Sequence, residues 1–124
     1  MPHGTIEHVN ITVTDPDRSA QLFASLLGWK ERWRGPSKLG GRTIHIGDER
    51  NYLAIYTKDS ARGDFAKGVP LNHIGVQVDD LAAAEAVVRA QGLEPFNHGS
   101  YEPGPESFYF FDWDGIEFEV VCYE

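Results

Sequence analysis

The sequence predicts an α+β fold built from two βαβββ modules, on three observations. Two stretches, "IEHVNITVTDPDRSAQLFASLLGW" at 6–29 and "LNHIGVQVDDLAAAEAVVRAQGL" at 71–93, have the same order of patterns. Each is followed by three short candidate strands separated by turn residues. The 124 residues are enough for one ordinary domain, so the two copies are expected to form it together.

Val9, Ile11 and Val13 alternate with polar residues, and so do Ile74, Val76 and Val78; period two is the mark of a strand. Each strand runs into aspartate, Asp15 in the first copy and Asp79 and Asp80 in the second, which suits a helix N-cap. Pro16 suits the first helical position. Leu22, Phe23, Leu26 and Leu27 then recur at helical spacing, as do Leu81, Ala84, Val87 and Val88. Gly28 and Gly92 stand where a left-handed helix end is expected. Strands follow at about 31–35, 42–47 and 51–57, and again at about 94–98, 107–112 and 116–123, with "GPSKLGG", "GDERN", "YEPGPE" and "DWDG" as turns. Module one is therefore 5–59 and module two 71–123, joined by the linker "SARGDFAKGVP" at 60–70. Set side by side, the modules are expected to make a curved eight-stranded sheet around a cleft, with the helices on the outer face.

Composition narrows the function. No run of 18 apolar residues exists, so no membrane span is expected, and "MPHGTIEHVN" lacks the features of a signal peptide. A single cysteine, Cys122, excludes an intrachain disulfide framework and suits the cytoplasm. The net charge of −8 and scattered basic residues, densest at Lys30, Arg32 and Arg34, argue against nucleic acid.

If the apolar set of each first strand packs on its helix, the alternate set faces the cleft. His8, Asn10 and Thr12 then face inward in one copy, and His73, Gly75 and Gln77 in the other. In the last strand Ile116, Phe118 and Val120 pack outward, which turns Glu117 and Glu119 inward. His8 and His73 are 65 positions apart, and the same spacing separates Glu119 from Ala54, so the four equivalent places hold His8, Ala54, His73 and Glu119. One inward histidine is an ordinary structural residue; two imidazoles and a carboxylate at repeat-equivalent places suit a divalent ion such as Fe(II), Mn(II), Zn(II), Co(II) or Ni(II). A carboxylate buried among Phe110, Phe118 and Trp113 would be costly without such a partner. Glu117 is the weaker ligand candidate, at the cleft rim.

"EHVNITVTD", "NHIGVQVDD" and "SFYFFDWDGIEFEV" resemble the vicinal oxygen chelate superfamily, which includes glyoxalase I, bleomycin-resistance proteins, fosfomycin-resistance thiol transferases and extradiol dioxygenases. Nearly all of 5–123 takes part in the resemblance. It implies a metal-dependent enzyme acting on a small substrate that binds through two oxygens, and a homodimer in which modules can be exchanged. Glyoxalase I is disfavoured because Ala54 holds the place of its acidic or amide ligand. Bleomycin-type binding proteins usually lack the three ligands, although the acidic charge and Trp29, Trp33, Tyr52 and Tyr56 suit a binding role. Fosfomycin-type transferases share the ligands and match Tyr109, but their phosphonate-binding cations have no counterpart. Extradiol dioxygenases share the ligands as well: their two-histidine, one-carboxylate face corresponds to His8, His73 and Glu119, their active-site tyrosine to Tyr109, and the candidate for their acid–base histidine is His98. Trp113 departs from that pattern, where a proline is usual. The leading expectation is thus a metal-dependent enzyme with dioxygenase-like ligation; the alternatives are a non-catalytic, dimeric binding protein and a fosfomycin-type thiol transferase.

Overall fold

The structure, a computed structural model, describes residues 2–38, 40–59, 65–100 and 104–123. It divides into two compact units, Met1–Arg62 and Gly63–Glu124. Part of the expected linker, 60–64, and part of the turn "YEPGPE", 101–103, lie outside the described residues.

In the first unit β1 (His8–Thr12) leads to α1 (Pro16–Leu27) and then to β2 (Lys30–Pro36), β3 (Arg42–Gly47) and β4 (Tyr52–Thr57), a four-stranded sheet in the order β1-β4-β3-β2. The second unit repeats this with β5 (Ile74–Gln77), α2 (Leu81–Ala90), β6 (Phe96–Ser100), β7 (Glu106–Phe111) and β8 (Glu117–Cys122), in the order β5-β8-β7-β6. Both units are βαβββ modules, as the repeat predicts. In each the first strand runs parallel to the last, and the other pairs are antiparallel.

The helix ends follow the expected chemistry. The Asp15 side chain accepts from the Arg18 amide at 3.2 Å, and Asp80 accepts from the Ala83 amide at 3.0 Å. Gly28 closes α1 at φ +67°; Gln91 caps α2, and Gly92 supplies the left-handed turn one residue later at φ +79°. Asp80→Ala should lower stability by about 1 kcal/mol in urea unfolding, because the Ala83 amide loses its acceptor.

Each sheet buries one face under its helix. In the first unit α1 packs on β2, β3 and β4, where Ile44, Ile46, Leu53 and Ile55 are buried together with Ile11 and Val13. In the second, α2 offers only the small Ala84 and Val88, and the sheet answers with Phe108, Phe110, Phe118 and Val120, all fully buried. Small helix residues against large strand residues keep the layers close at native packing density. Glu117 and Glu119 of β8 and Tyr109 and Phe111 of β7, at odd positions, are left on the other face and are partly exposed.

Two aspartate turns fix the hairpin registers. Between β3 and β4, Asp48 Oδ1 accepts from the amides of Arg50 and Asn51 at 2.8 and 2.9 Å. Between β7 and β8, Asp112 Oδ1 accepts from the amides of Asp114 and Ile116 at 3.0 and 2.8 Å, and Gly115 takes φ +85°. A one-residue slip in either hairpin would invert every side chain of its strands. Within the densest basic group, Arg34 is ion-paired with Asp17 and Glu31.

Candidate functional site

The register of the second unit builds a row across the sheet on the face opposite α2. Gly75 of β5 pairs with Glu119 of β8, Glu119 with Tyr109 of β7, and Tyr109 with Phe96 of β6. His73, two residues before Gly75, joins this row: its Nε2 lies 3.2 Å from Glu119 Oε1. Its ring meets Tyr109 edge-on, with centroids 5.6 Å apart and planes at 79°. The carboxylate is well sheltered, 14 % exposed, and the imidazole is 33 % exposed. Beside Glu119 an open cleft of about 570 Å³ is bordered by Gly75, Gln77, Pro105, Glu119, Val121 and Tyr123. Phe110 and Phe118 lie on the α2 side of the sheet, so they do not enclose Glu119 as the sequence suggests; alternation along the strands separates them from it.

The first unit carries the matching row on its own half-exposed face. His8 pairs with Tyr52 and Asn10 with Ala54, so Ala54 holds the place that Glu119 holds in the second unit. The His8 ring stacks on Tyr52 at 4.9 Å, Tyr52 on His45 at 4.5 Å, and His45 meets Trp33 at 5.0 Å. The Arg32 guanidinium sits over the Tyr52 ring, 4.5 Å from its centroid. Alternation alone leaves the direction of His45 open; the structure places it in this row, where burial holds its imidazole below the usual pKa and the charges of His8 and Arg32 act in the same sense.

His98 stands elsewhere. Its Nε2 is 2.7 Å from Glu85 Oε1 of α2, and its ring stacks at 5.9 Å on the buried Phe108. The cause is a bulge in β6. Phe96 pairs with Tyr109 and Gly99 with Ser107, an irregular register that includes Asn97 at φ +55°. Without the extra residue, His98 would share the face of Phe96 and Tyr109; with it, the side chain turns to α2. The structure therefore brings His73, Glu119 and Tyr109 together and leaves His98 apart from them.

A model of the glyoxalase/bleomycin resistance protein/dioxygenase superfamily matches residues 5–120. The chain belongs to this superfamily. Among solved structures it is similar to a glyoxylase/bleomycin resistance protein/dioxygenase domain from Frankia sp. EAN1pec, with 23% identity over 99% of this chain and 100% of that one and a TM-score of 0.83. It is also similar to the fosfomycin resistance protein FosX from Listeria monocytogenes, solved with Mn(II) and sulfate, with 19% identity over 100% and 95% of the two chains and a TM-score of 0.74. A variant of that protein solved with Mn(II) and 1S,2S-dihydroxypropylphosphonic acid matches at 18% identity over 97% and 93%, again with a TM-score of 0.74. At these identities the likeness establishes the fold. Comparison with curated proteins gives no match.

One of these fold neighbours was solved with Mn(II), and the donors of this chain can be tested against such an ion. Among the described residues no group of three His, Cys, Asp or Glu side chains able to hold a metal is gathered; the second unit supplies two donors, His73 and Glu119. Two ligands about 2.1 Å from one ion, at roughly 90–110° to each other, stand about 3.0–3.4 Å apart, and the observed separation is 3.2 Å. The other ring nitrogens are also informative. His73 Nδ1 is 2.7 Å from Asn72 Oδ1, and His8 Nδ1 is 3.0 Å from Glu7 Oε1. Both partners are oxygen acceptors, which favours the tautomer in which each Nδ1 donates and each Nε2 keeps its lone pair. In that tautomer the His73 lone pair faces the Glu119 carboxylate, and a cation placed between them, a proton or a metal ion, would satisfy both. An acceptor on one ring nitrogen with the other free to ligate is the arrangement that orients metal-bound histidines.

Glu7 and Asn72 are functional candidates that strand patterning does not single out. They are 65 positions apart, as His8 and His73 are, and the repeat spacing was the signal that could have found them.

Proposed function

We propose that this superfamily member is a metal-dependent enzyme in which His8, His73 and Glu119 hold one divalent ion, with dioxygenase-like ligation, and a small substrate binds through two oxygens. The observation that carries the reading is the 3.2 Å approach of His73 Nε2 to Glu119 Oε1, with His73 Nδ1 held by Asn72. The matching place and matching Nδ1 partner of His8 support it as the third ligand, from the same chain or from a second copy in a homodimer. Bound there, the ion supplies Lewis acidity and a template for the two oxygens. Glu119 contributes a negative charge, His8 and His73 neutral donors, and Tyr109 a phenol beside them whose O–H can stabilise charge developing on substrate oxygen. His98, turned to Glu85, has no part in this reading.

Protein reconstituted without oxygen should retain about one equivalent of Fe(II), Mn(II), Co(II), Ni(II) or Zn(II) per chain; retention below about half an equivalent contradicts the proposal. With Fe(II) bound, oxygen uptake on a panel of catechols is the expected activity; none on any of them would move the chemistry to another metal-assisted reaction. Asn72→Ala should weaken metal binding about tenfold while the fold is retained, because the His73 ring loses the partner that sets its tautomer and angle. Competitive titration against a fluorescent chelator measures this.

A binding protein without chemistry is the second reading. It is favoured by the row His8, Tyr52, His45 and Trp33 under Arg32, a stack of rings suited to a flat ligand. Little metal retained, together with tight binding of a planar aromatic compound, would establish it.

A further inference from the structure

Gly75 sits at the second of the four positions of β5, which among the described residues lies at the edge of its sheet, paired with β8. A glycine within a strand weakens it, having no side chain to pack and the most backbone freedom to lose. Such a residue is usually required by a left-handed backbone or by a close neighbour. Neither applies here. Gly75 is not among the glycines with positive φ, and a Cβ built on it meets no atom of the described residues within 4 Å. Gly41 and Gly47 show the contrast: a Cβ on either would lie within 2.5 Å of backbone atoms.

The position of Gly75 gives the reason. It pairs with Glu119, shares the sheet face of His73 and Tyr109, and forms part of the wall of the open cleft of about 570 Å³ beside that carboxylate. This volume falls in the range of about 300–1,000 Å³ of small-molecule sites. A side chain at position 75 would project from the wall into that space, next to the pair that approaches at 3.2 Å.

We propose that Gly75 determines substrate specificity: the missing side chain leaves room beside Glu119 for the body of the ligand, so bulk added at position 75 disfavours larger ligands on that side of the carboxylate. The inference rests on the metal-dependent reading above and extends it to ligand size. The rest of the wall is mixed, with Gln77 offering an amide and Val121 an apolar patch, which fits a compact ligand carrying both oxygen donors and an apolar body.

The test compares wild type with Gly75→Ala and Gly75→Val, loaded with Co(II). Binding of two bidentate oxygen probes, acetohydroxamate and the bulkier 4-tert-butylcatechol, is followed through the Co(II) absorption bands. Gly75→Val should melt at or above the wild-type temperature, since valine suits a strand. It should bind Co(II) and acetohydroxamate within about threefold of wild type and 4-tert-butylcatechol at least about tenfold more weakly, with Gly75→Ala between; the tenfold loss is about 1.4 kcal/mol. A melting temperature several degrees lower would make Gly75 a structural glycine, and equal affinity for the catechol would show that nothing bulky passes it; either overturns the proposal. Wild-type protein that takes up no Co(II) contradicts the metal reading itself, a failure separate from these two.

Discussion

Glu119→Gln and His73→Ala should each abolish tight divalent-metal binding, weakening it by about 10²–10³-fold. A structural zinc site of four ligands binds with about 10–16 kcal/mol, or about 3 kcal/mol per ligand, and each 1.4 kcal/mol is a factor of ten. Glu119→Gln is the sharper variant. It has the same shape, keeps an oxygen near His73 Nε2, and removes only the charge and one oxygen donor. Neither change touches the apolar layer, where Phe108, Phe110, Phe118 and Val120 meet α2, so circular dichroism and melting should report an intact fold. Metal loss with the fold retained is the expected result. Unchanged metal content in either variant would remove that side chain from the site.

Asp112→Asn should change the pH dependence of stability by about 3 kcal/mol. Asp48 and Asp112 close equivalent hairpins, and each carboxylate accepts two backbone amides, yet their acidities move in opposite directions. The amides of Asn51 and Arg50 lower the pKa of the exposed Asp48. Burial raises that of Asp112 from 3.8 to about 6, against the pull of its backbone amides and with some help from the Asp114 charge. Asp112 is 5 % exposed, and its Oδ2 is buried with no hydrogen-bond partner among the described residues. The folded state therefore holds this proton more tightly than the unfolded chain. Its stabilising effect is fully present below pH 3.8 and is lost as the pH rises through about 6. At about 1.4 kcal/mol per tenfold change in proton affinity, the loss is about 3 kcal/mol. Asparagine keeps the Oδ1 acceptor and cannot ionise, so its stability relative to wild type should rise by most of that amount between pH 4 and pH 7. Its amide group, placed where Oδ2 has no partner, adds an offset of about 1–3 kcal/mol against the variant at every pH, which the comparison between the two pH values removes. Urea unfolding at several pH values measures the difference; a constant difference between the two proteins would show that Asp112 titrates normally.

Most of the architecture was legible in the residues. Alternation at Val9, Ile11 and Val13 and at Ile74, Val76 and Val78, aspartate caps and glycine ends each specify local structure through sterics and hydrogen bonding, and the repeat shows how often the unit occurs. The site was legible where regular strands carry it. The spacing of 65 that joins His8 to His73 and Ala54 to Glu119 reappears as strand pairing, Asn10 with Ala54 and Gly75 with Glu119. Legibility ended where the strand is irregular. Nothing in "FNHGS" shows that Asn97 takes a positive φ, and that one bulged residue turns His98 from the face of Tyr109 to the helix. The roles of Glu7 and Asn72 were hidden for another reason: they precede the strands, where alternation has no force, and only the ring geometry shows what they hold.

The account turns on two imidazoles and one carboxylate sharing a single ion. Pulsed electron paramagnetic resonance of the Mn(II)-loaded protein, with histidine labelled by ¹⁵N, counts the coordinated imidazoles directly. Two equivalent ¹⁵N couplings in wild type, and one in His8→Ala and in His73→Ala for the Mn(II) that each variant still takes up when the metal is raised well above the wild-type requirement, is the predicted result. A wild-type spectrum with no histidine coupling, or with one that His8→Ala leaves unchanged, would contradict it.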